Sequence, residues 1–424
     1  MEYLRIKGGK PLAGEVRVQG SKNGALPLMT ATVLIQGKTV LHNCPRIADI
    51  EAMADLLRTI GCKVGFDKDT ITIDATHICD THCPQKQVQA MRSSIMLLGP
   101  LLGRCKSIQM HRPGGCVIGE RPTDIHEWAL RRMNVEFISQ GDTITAYTDR
   151  LTGADICLPF PSVGATENVI MAAVTAEGTT RLTNAAKEPE IRLLCEFLRK
   201  AGAKIRGIGT SVLEITGVDT LREVSMSIMA DRIVAGTYLL AAAATGGQLF
   251  VRDAPSEQMQ SLIGVLRHMG ASVFVDRDII CIDAYEAKRP CPYIKTEVYP
   301  GFPTDLQSML VAALALASGE SVVEESIFEG RFRMVPQLCK MGADITEEGN
   351  RVRIRGVEKL CGTDLEAQEL RGGAALVIAA LAADGESRIH GLSYIERGYE
   401  DIVRDIRQLG GDIAYITGES NVPV

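Results

Sequence analysis

The chain has 424 residues, 46% of them hydrophobic, and its 46 Lys and Arg against 52 Asp and Glu leave a formal charge of −6. That length exceeds what one hydrophobic core usually supports and implies two domains of roughly 200 residues each. The acidic balance and the single Trp argue against a nucleic-acid surface, and no apolar run approaches a membrane span, so neither nucleic acid nor membrane is expected as a partner.

The opening stretch, MEYLRIKGGKPLAGEVRVQG, contains a strand but no signal-peptide core, and a cytoplasmic location is expected. In that reducing compartment most of the 12 cysteines read as small buried hydrophobes, with Cys62, Cys195 and Cys339 as examples. His77, Cys79, His82 and Cys83 in HICDTHC could each ligate zinc. No second pair follows at a recognisable spacing, so no metal site is expected there.

From there the predicted elements repeat. An Ala/Leu-rich segment runs into Gly and a short strand at TATVLIQGKTVLHN, LLGPLLGRCKSIQM, MAAVTAEGTTRLTN, LAAAATGGQLFVRD, VAALALASGESVVE and IAALAADGESRIHG. Such wholly apolar helices are buried on all sides. Between them lies an amphipathic helix that stops at Gly61, Asn134, Gly202, Gly270, Gly342 or Gly410, where a left-handed residue ends it before the next strand. The markers recur about every 70 residues. Each unit therefore reads strand, buried helix, strand, surface helix, strand, and six units give an α/β fold with three per domain. The opening strand supplies what the sixth unit lacks, so the expected domains are residues 22–229 and residues 1–21 plus 230–424, with an active site in the cleft between them.

Six equivalent loops lead into the buried helices. They carry Lys22 and Asn23, Arg92, Ser162 with Val163 and Gly164, Asp231 and Arg232, Thr304 and Asp305, and Arg371. Capping accounts for the Ser, Thr, Asn and Asp residues. It does not account for Lys22, Arg92, Arg232 or Arg371, whose charge opposes the helix dipole unless an anion shares the site. A second set of loops, after the short strands, carries Asp49, Glu188 and Glu190, Arg331 and Arg397. One of these, HRPGGCVIGERPTDIHEW, sets Cys116 among glycines that cannot pack around a thiol, with Arg112 and Arg121 on either side to favour thiolate.

Taken together, GSKNGALP, PGGCVIGERPTDIH, PSVGATEN, GFPTDLQ, FEGRF and ERGYE resemble the UDP-N-acetylglucosamine enolpyruvyl transferases, over residues 3–415. The resemblance implies two inside-out α/β barrel domains of three βαβαββ-type units each, and transfer of the enolpyruvyl group of phosphoenolpyruvate to the 3′-hydroxyl of UDP-N-acetylglucosamine, with release of phosphate and with no metal or organic cofactor. It implies that Lys22, Asn23, Arg92, Arg121, Arg331, Arg371 and Arg397 surround phosphoenolpyruvate, whose carboxylate and phosphate suit planar guanidinium forks. For UDP-N-acetylglucosamine it implies Asn23, Arg92, Asp305 and Ile327, the turn of Arg121, Pro122, Thr123, Asp124, Ile125 and His126, and Ser162, Val163 and Gly164. Asp305 is the candidate base and Cys116 the candidate acid, with Lys22 and Arg397 completing the catalytic set. Three positions depart from the family pattern: Phe160 stands where some members have lysine, Glu369 where aspartate is usual, and Gly372 where alanine is usual. The alternatives are transfer to shikimate 3-phosphate and a non-catalytic paralogue that binds the sugar nucleotide.

Overall fold

The computed structural model describes residues 2–114 and 123–417, and Cys116, Arg121 and Pro122 lie outside them. Its strands assemble into six four-stranded sheets. One sheet shows the unit most plainly. Strands Asp155–Cys157 and Thr179–Thr183 run parallel, which requires a crossover, and the helix Val163–Ala173 supplies it. A second helix, Pro189–Lys200, then leads to Lys204–Arg206 and Val212–Thr216, which close the sheet as an antiparallel pair.

The two helices of each unit differ because their sequences do. Val163–Ala173 is buried from Ala165 onward, whereas Pro189–Lys200 turns Arg192, Arg199 and Lys200 outward and packs Ile191, Leu194, Cys195 and Leu198 at helical spacing. All six markers adopt positive φ, including Asn134 at 68° and Gly61 at 111°. The repeat read from the sequence is therefore the repeat of the fold.

The described residues divide into two compact units, one made of residues 20–114 with 123–229 and the other of residues 2–19 with 230–417. In the first, the helices Lys22–Ala31, Leu98–Cys105 and Val163–Ala173 lie in the core. In the second, Arg232–Thr245, Thr304–Leu314 and Leu370–Ala382 lie in the core and pack on one another. Strand Glu2–Lys7 pairs with Glu386–His390 and Asp412–Thr417 and so completes the last sheet. The next strand is used in a way the sequence pattern does not reveal. Ala13–Arg17 precedes the helix Lys22–Ala31 but pairs with Gln248–Arg252, while Val224–Ser227 precedes the helix Arg232–Thr245 but pairs with Lys38–His42.

Two local expectations need correction. The segment at Arg92 begins as a 3-10 helix, Arg92–Leu97, and becomes α-helical only at Leu98. That start places Pro100 in the first α-helical turn, where a missing N–H has no helical partner to lose. Cys339 is exposed, because the short helix Val335–Lys340 buries Val335 and Leu338 instead. Cys62 and Cys195 are buried, and burial pushes both thiols up to about 12. Among the described residues no group of His, Cys, Asp and Glu could hold a metal ion, and His82 and Cys83 of the HICDTHC stretch form a short strand beside Gln109 and Met110.

Candidate active site

The predicted site residues that the structure describes sit at or near the start of a helix or in a loop that follows a short strand. In residues 20–229 the first such start is capped by Ser21, whose hydroxyl accepts from the Gly24 amide at 3.1 Å. Lys22 follows, and its ammonium lies 2.6 Å from the Asp49 carboxylate. Asp49 stands in the first turn of the helix Ala48–Thr59, where the dipole favours its charge. The cation at one helix start is thus met by the protein's own anion at another. Asn23 and Arg92 are both half-buried, with Arg92 opening the 3-10 helix.

Two motifs read separately in the sequence meet in this unit. Thr123, Asp124, Ile125 and His126 begin the helix Asp124–Arg131, and Ser162, Val163 and Gly164 begin the helix Val163–Ala173, where Ser162 accepts from the Ala165 amide. The His126 ring lies against Gly164 so closely that a Cβ there would stand 3.0 Å from its Cε1. Asn168 sets the ring's tautomer. Its carbonyl oxygen accepts from the Gly99 amide at 2.7 Å, so its NH2 group faces both the Ile95 carbonyl at 3.0 Å and His126 Nδ1 at 2.9 Å. Nδ1 must accept, which leaves the ring proton on Nε2. Thr123 is held as well: its hydroxyl accepts from Arg112 and donates to Glu127 at 2.8 Å. The Phe160 ring, just before this helix start, is 43% exposed.

In the second unit, Asp305 is the hub. It does not cap its helix, since the N-cap of Thr304–Leu314 is Pro303 and makes no side-chain bond. Instead Oδ1 lies 2.6 Å from Arg331 and Oδ2 lies 3.0 Å from Arg371. Burial alone would raise the Asp305 pKa, but Arg371 and Arg331 overcome it and hold the carboxyl well below the ordinary carboxylate range. Arg331 also donates to Thr304 Oγ1 at 3.2 Å and lies 3.7 Å from the Glu369 carboxylate. Glu369 caps the helix Leu370–Ala382 by accepting from the amides of Arg371 and Gly372.

Glu325 was not singled out by the sequence. It is buried, and it accepts from Thr304 and Thr296 and from the amides of Ile327 and Phe328, so it sets the backbone at Ile327. The only signal for it is an acidic pair, Glu324 and Glu325, where a strand ends. Gln19 is a second omission. It donates to the Gly398 carbonyl and accepts from the Glu400 amide, and so fixes the turn that carries the half-buried Arg397.

The structure therefore joins Asp305, Arg331 and Arg371 in one cluster and His126 with Ser162–Gly164 in another, and it pairs Lys22 with Asp49. The first cluster can bind an anion through two guanidiniums while keeping a carboxylate beside it. The second presents helix starts and an imidazole N–H, groups that suit phosphate oxygens.

The sequence pattern of the family described as EPSP synthase (3-phosphoshikimate 1-carboxyvinyltransferase) matches residues 6–406. UDP-N-acetylglucosamine 1-carboxyvinyltransferase 2 of Caldanaerobacter subterraneus is 45% identical over 98% of this chain and 100% of its own. UDP-N-acetylglucosamine 1-carboxyvinyltransferase of Halorhodospira halophila is 43% identical over 97% of this chain and 99% of its own. Among solved structures, the enolpyruvyl transferase NikO from Streptomyces tendae superposes with a TM-score of 0.88 at 25% identity, covering 99% of both chains. An EPSP synthase from Acinetobacter baumannii, 20% identical, shares the fold with a TM-score of 0.77 over 98% of this chain and 100% of that one. With such identity sustained along nearly its whole length, the chain belongs to the EPSP synthase family of enolpyruvyl transferases and, within it, to the UDP-N-acetylglucosamine 1-carboxyvinyltransferases.

Proposed function

We propose that the chain transfers the enolpyruvyl group of phosphoenolpyruvate to the 3′-hydroxyl of UDP-N-acetylglucosamine and releases phosphate, the first committed step of peptidoglycan synthesis. Full-length similarity to enzymes named for this acceptor favours it over shikimate 3-phosphate. The observation that carries the chemistry is the Asp305 carboxylate held between Arg331 and Arg371.

Addition requires C3 of phosphoenolpyruvate to gain a proton while C2 becomes cationic, and the sugar hydroxyl to lose its proton as its oxygen bonds to C2. Elimination then removes a C3 proton and the phosphate. Asp305 takes the hydroxyl proton. Clamped by two guanidiniums it is a weak base, but the carboxylate and phosphate of phosphoenolpyruvate draw on the same guanidiniums. Each guanidinium shared with substrate neutralises Asp305 less, so the anion that must be bound also restores the base. Lys22, Arg92, Arg121 and Arg397 supply further positive charge to that anion, with Asn23 and Ile327 at the sugar. His126 and the helix starts at Thr123–Ile125 and Ser162–Gly164, together with Pro122, take the uridine diphosphate.

Cys116 is assigned the proton donation to C3. A carboxyl can donate a proton too, so Cys116→Asp should keep measurable activity with its optimum moved to lower pH. We place the reaction in the cytoplasm, where that thiol stays reduced.

Phosphate release from phosphoenolpyruvate, measured with each acceptor, tests the assignment. Release with UDP-N-acetylglucosamine is expected, and release only with shikimate 3-phosphate would overturn it. Tight binding of the sugar nucleotide with no release would mark a non-catalytic paralogue. Because the assignment draws on groups carried by both units, a smaller radius of gyration in small-angle scattering is expected once UDP-N-acetylglucosamine is added.

A further inference from the structure

Gly372 lies in the first turn of a buried helix in which most neighbours are Ala, Leu, Val or Ile, and its backbone does not need glycine. It is absent from the glycines with positive φ, and alanine is the better helix former. What glycine provides is room. A Cβ at position 372 would stand 2.8 Å from Glu369 Oε1 and 3.3 Å from the Met334 Cβ.

The Glu369 side chain occupies that room because of its length. From the N-cap position it folds back over the helix start, and its two oxygens accept from the amides of Arg371 and Gly372. Oε2 also lies 3.7 Å from Arg331 Nη1, while Arg331 Nη2 meets Asp305 at 2.6 Å and Arg371 Nη2 meets the other Asp305 oxygen at 3.0 Å. One buried carboxylate therefore holds the backbone under one arginine and orients the other. A methyl group at 372 could be accommodated only by moving the far end of Glu369, and that movement would take the carboxylate off the amides.

We propose that Glu369 and Gly372 act as a positioning pair for the transfer reaction, the glycine making the space from which the Glu369 carboxylate aligns Arg331 and Arg371 on Asp305. The inference rests on the function proposed above and adds two residues that need not touch substrate.

Kinetics of Gly372→Ala and of the double variant Glu369→Asp/Gly372→Ala test it, each checked by thermal unfolding. Gly372→Ala should lower kcat about 10-fold or more with little change in KM for UDP-N-acetylglucosamine, in a protein that stays folded and loses no more stability than the removal of one helix cap. Aspartate has a shorter reach and can cap the helix beside a methyl group, so the double variant should recover to within about 3-fold of the parent. A merely structural role would move stability and would not produce this split or this rescue. Full activity in Gly372→Ala, or a double variant no better than the single one, would overturn the pair while leaving the transferase assignment standing. A parent protein that releases no phosphate with UDP-N-acetylglucosamine would overturn both.

Discussion

The two units share a topology but load their polar interiors in opposite senses. In residues 230–417 the half-buried carboxylate Asp305 faces Arg331, Arg371 and Arg232, and its pKa is driven down. In residues 20–229 the buried carboxylate Glu167, on the helix Val163–Ala173, faces Glu190 and Glu188. There burial first, and then those two carboxylates, push its carboxyl well above the ordinary range. At the helix starts the signs are also exchanged: Lys22 meets Asp49 in one unit, and Asp305 meets Arg331 in the other. A repeated fold thus fixes where side chains converge, while the residue types at those points decide which proton each unit can hold.

The largest effect should separate the two acidic partners. Asp305→Ala is expected to lower kcat about 1,000-fold, the scale of a lost general base. Asp49→Ala should cost far less turnover; equal kcat losses in a steady-state comparison would erase the distinction between a base and a counter-ion. Stability should show the reverse emphasis for Asp49, since its removal leaves Lys22, whose side chain is 12% exposed, without this anion. A loss of about 3 kcal/mol in urea unfolding is expected for Asp49→Ala. A change near zero would show that the pair contributes nothing net.

The pH dependence sharpens the contrast because the two signs differ. The folded-state pKa of Asp305 is depressed, so its contribution to stability is complete above the ordinary value near 4 and declines as pH falls below it. The stability gap between the parent and Asp305→Asn should therefore narrow on acidification. Glu167 is raised, so its folded state keeps a proton the unfolded chain has released, and it costs stability increasingly as pH rises above about 4. Glu167→Gln should be more stable than the parent at pH 8, by about 1–3 kcal/mol, and no more stable at pH 4. Melting curves at the two pH values check both variants, and parallel behaviour would refute the opposed loading.

The smallest effect is expected at Asn168. Replacing it with alanine frees the His126 tautomer and should raise KM for UDP-N-acetylglucosamine about 5-fold while kcat holds, with a separate loss of stability from the Gly99 and Ile95 groups that it leaves without this partner. Nitrogen NMR of the His126 ring should show the Nε2-protonated form in the parent protein and a mixture in the variant.

The repeat was legible because it rests on local chemistry. Glycine or asparagine at the six helix ends and an unbroken apolar surface on six helices are written in the residues themselves, and the structure bears both out. Lys22 and Arg371 stood out because a cation at the mouth of an apolar helix opposes its dipole and is costly without a partner. Arg331 stood out because charges recur in the loops after the short strands, and Asp305 through the family resemblance. Glu325, Gln19 and Asn168 did not stand out. A Glu at a strand end, a Gln in a connection and an Asn inside a helix are unremarkable until their partners, far away in sequence, are known.

Sequence alone determined the six-unit architecture and the residue types at its convergent loops, since periodicity, capping and turn chemistry act over a few neighbours at a time. Tertiary structure decided the pairings: strand Ala13–Arg17 with Gln248–Arg252, Lys22 with Asp49, Asp305 with two arginines, and Glu369 with the space at Gly372. A hydrogen bond or an ion pair depends on distances of a few ångströms between residues tens or hundreds of positions apart, and only the folded packing of the helices sets those distances.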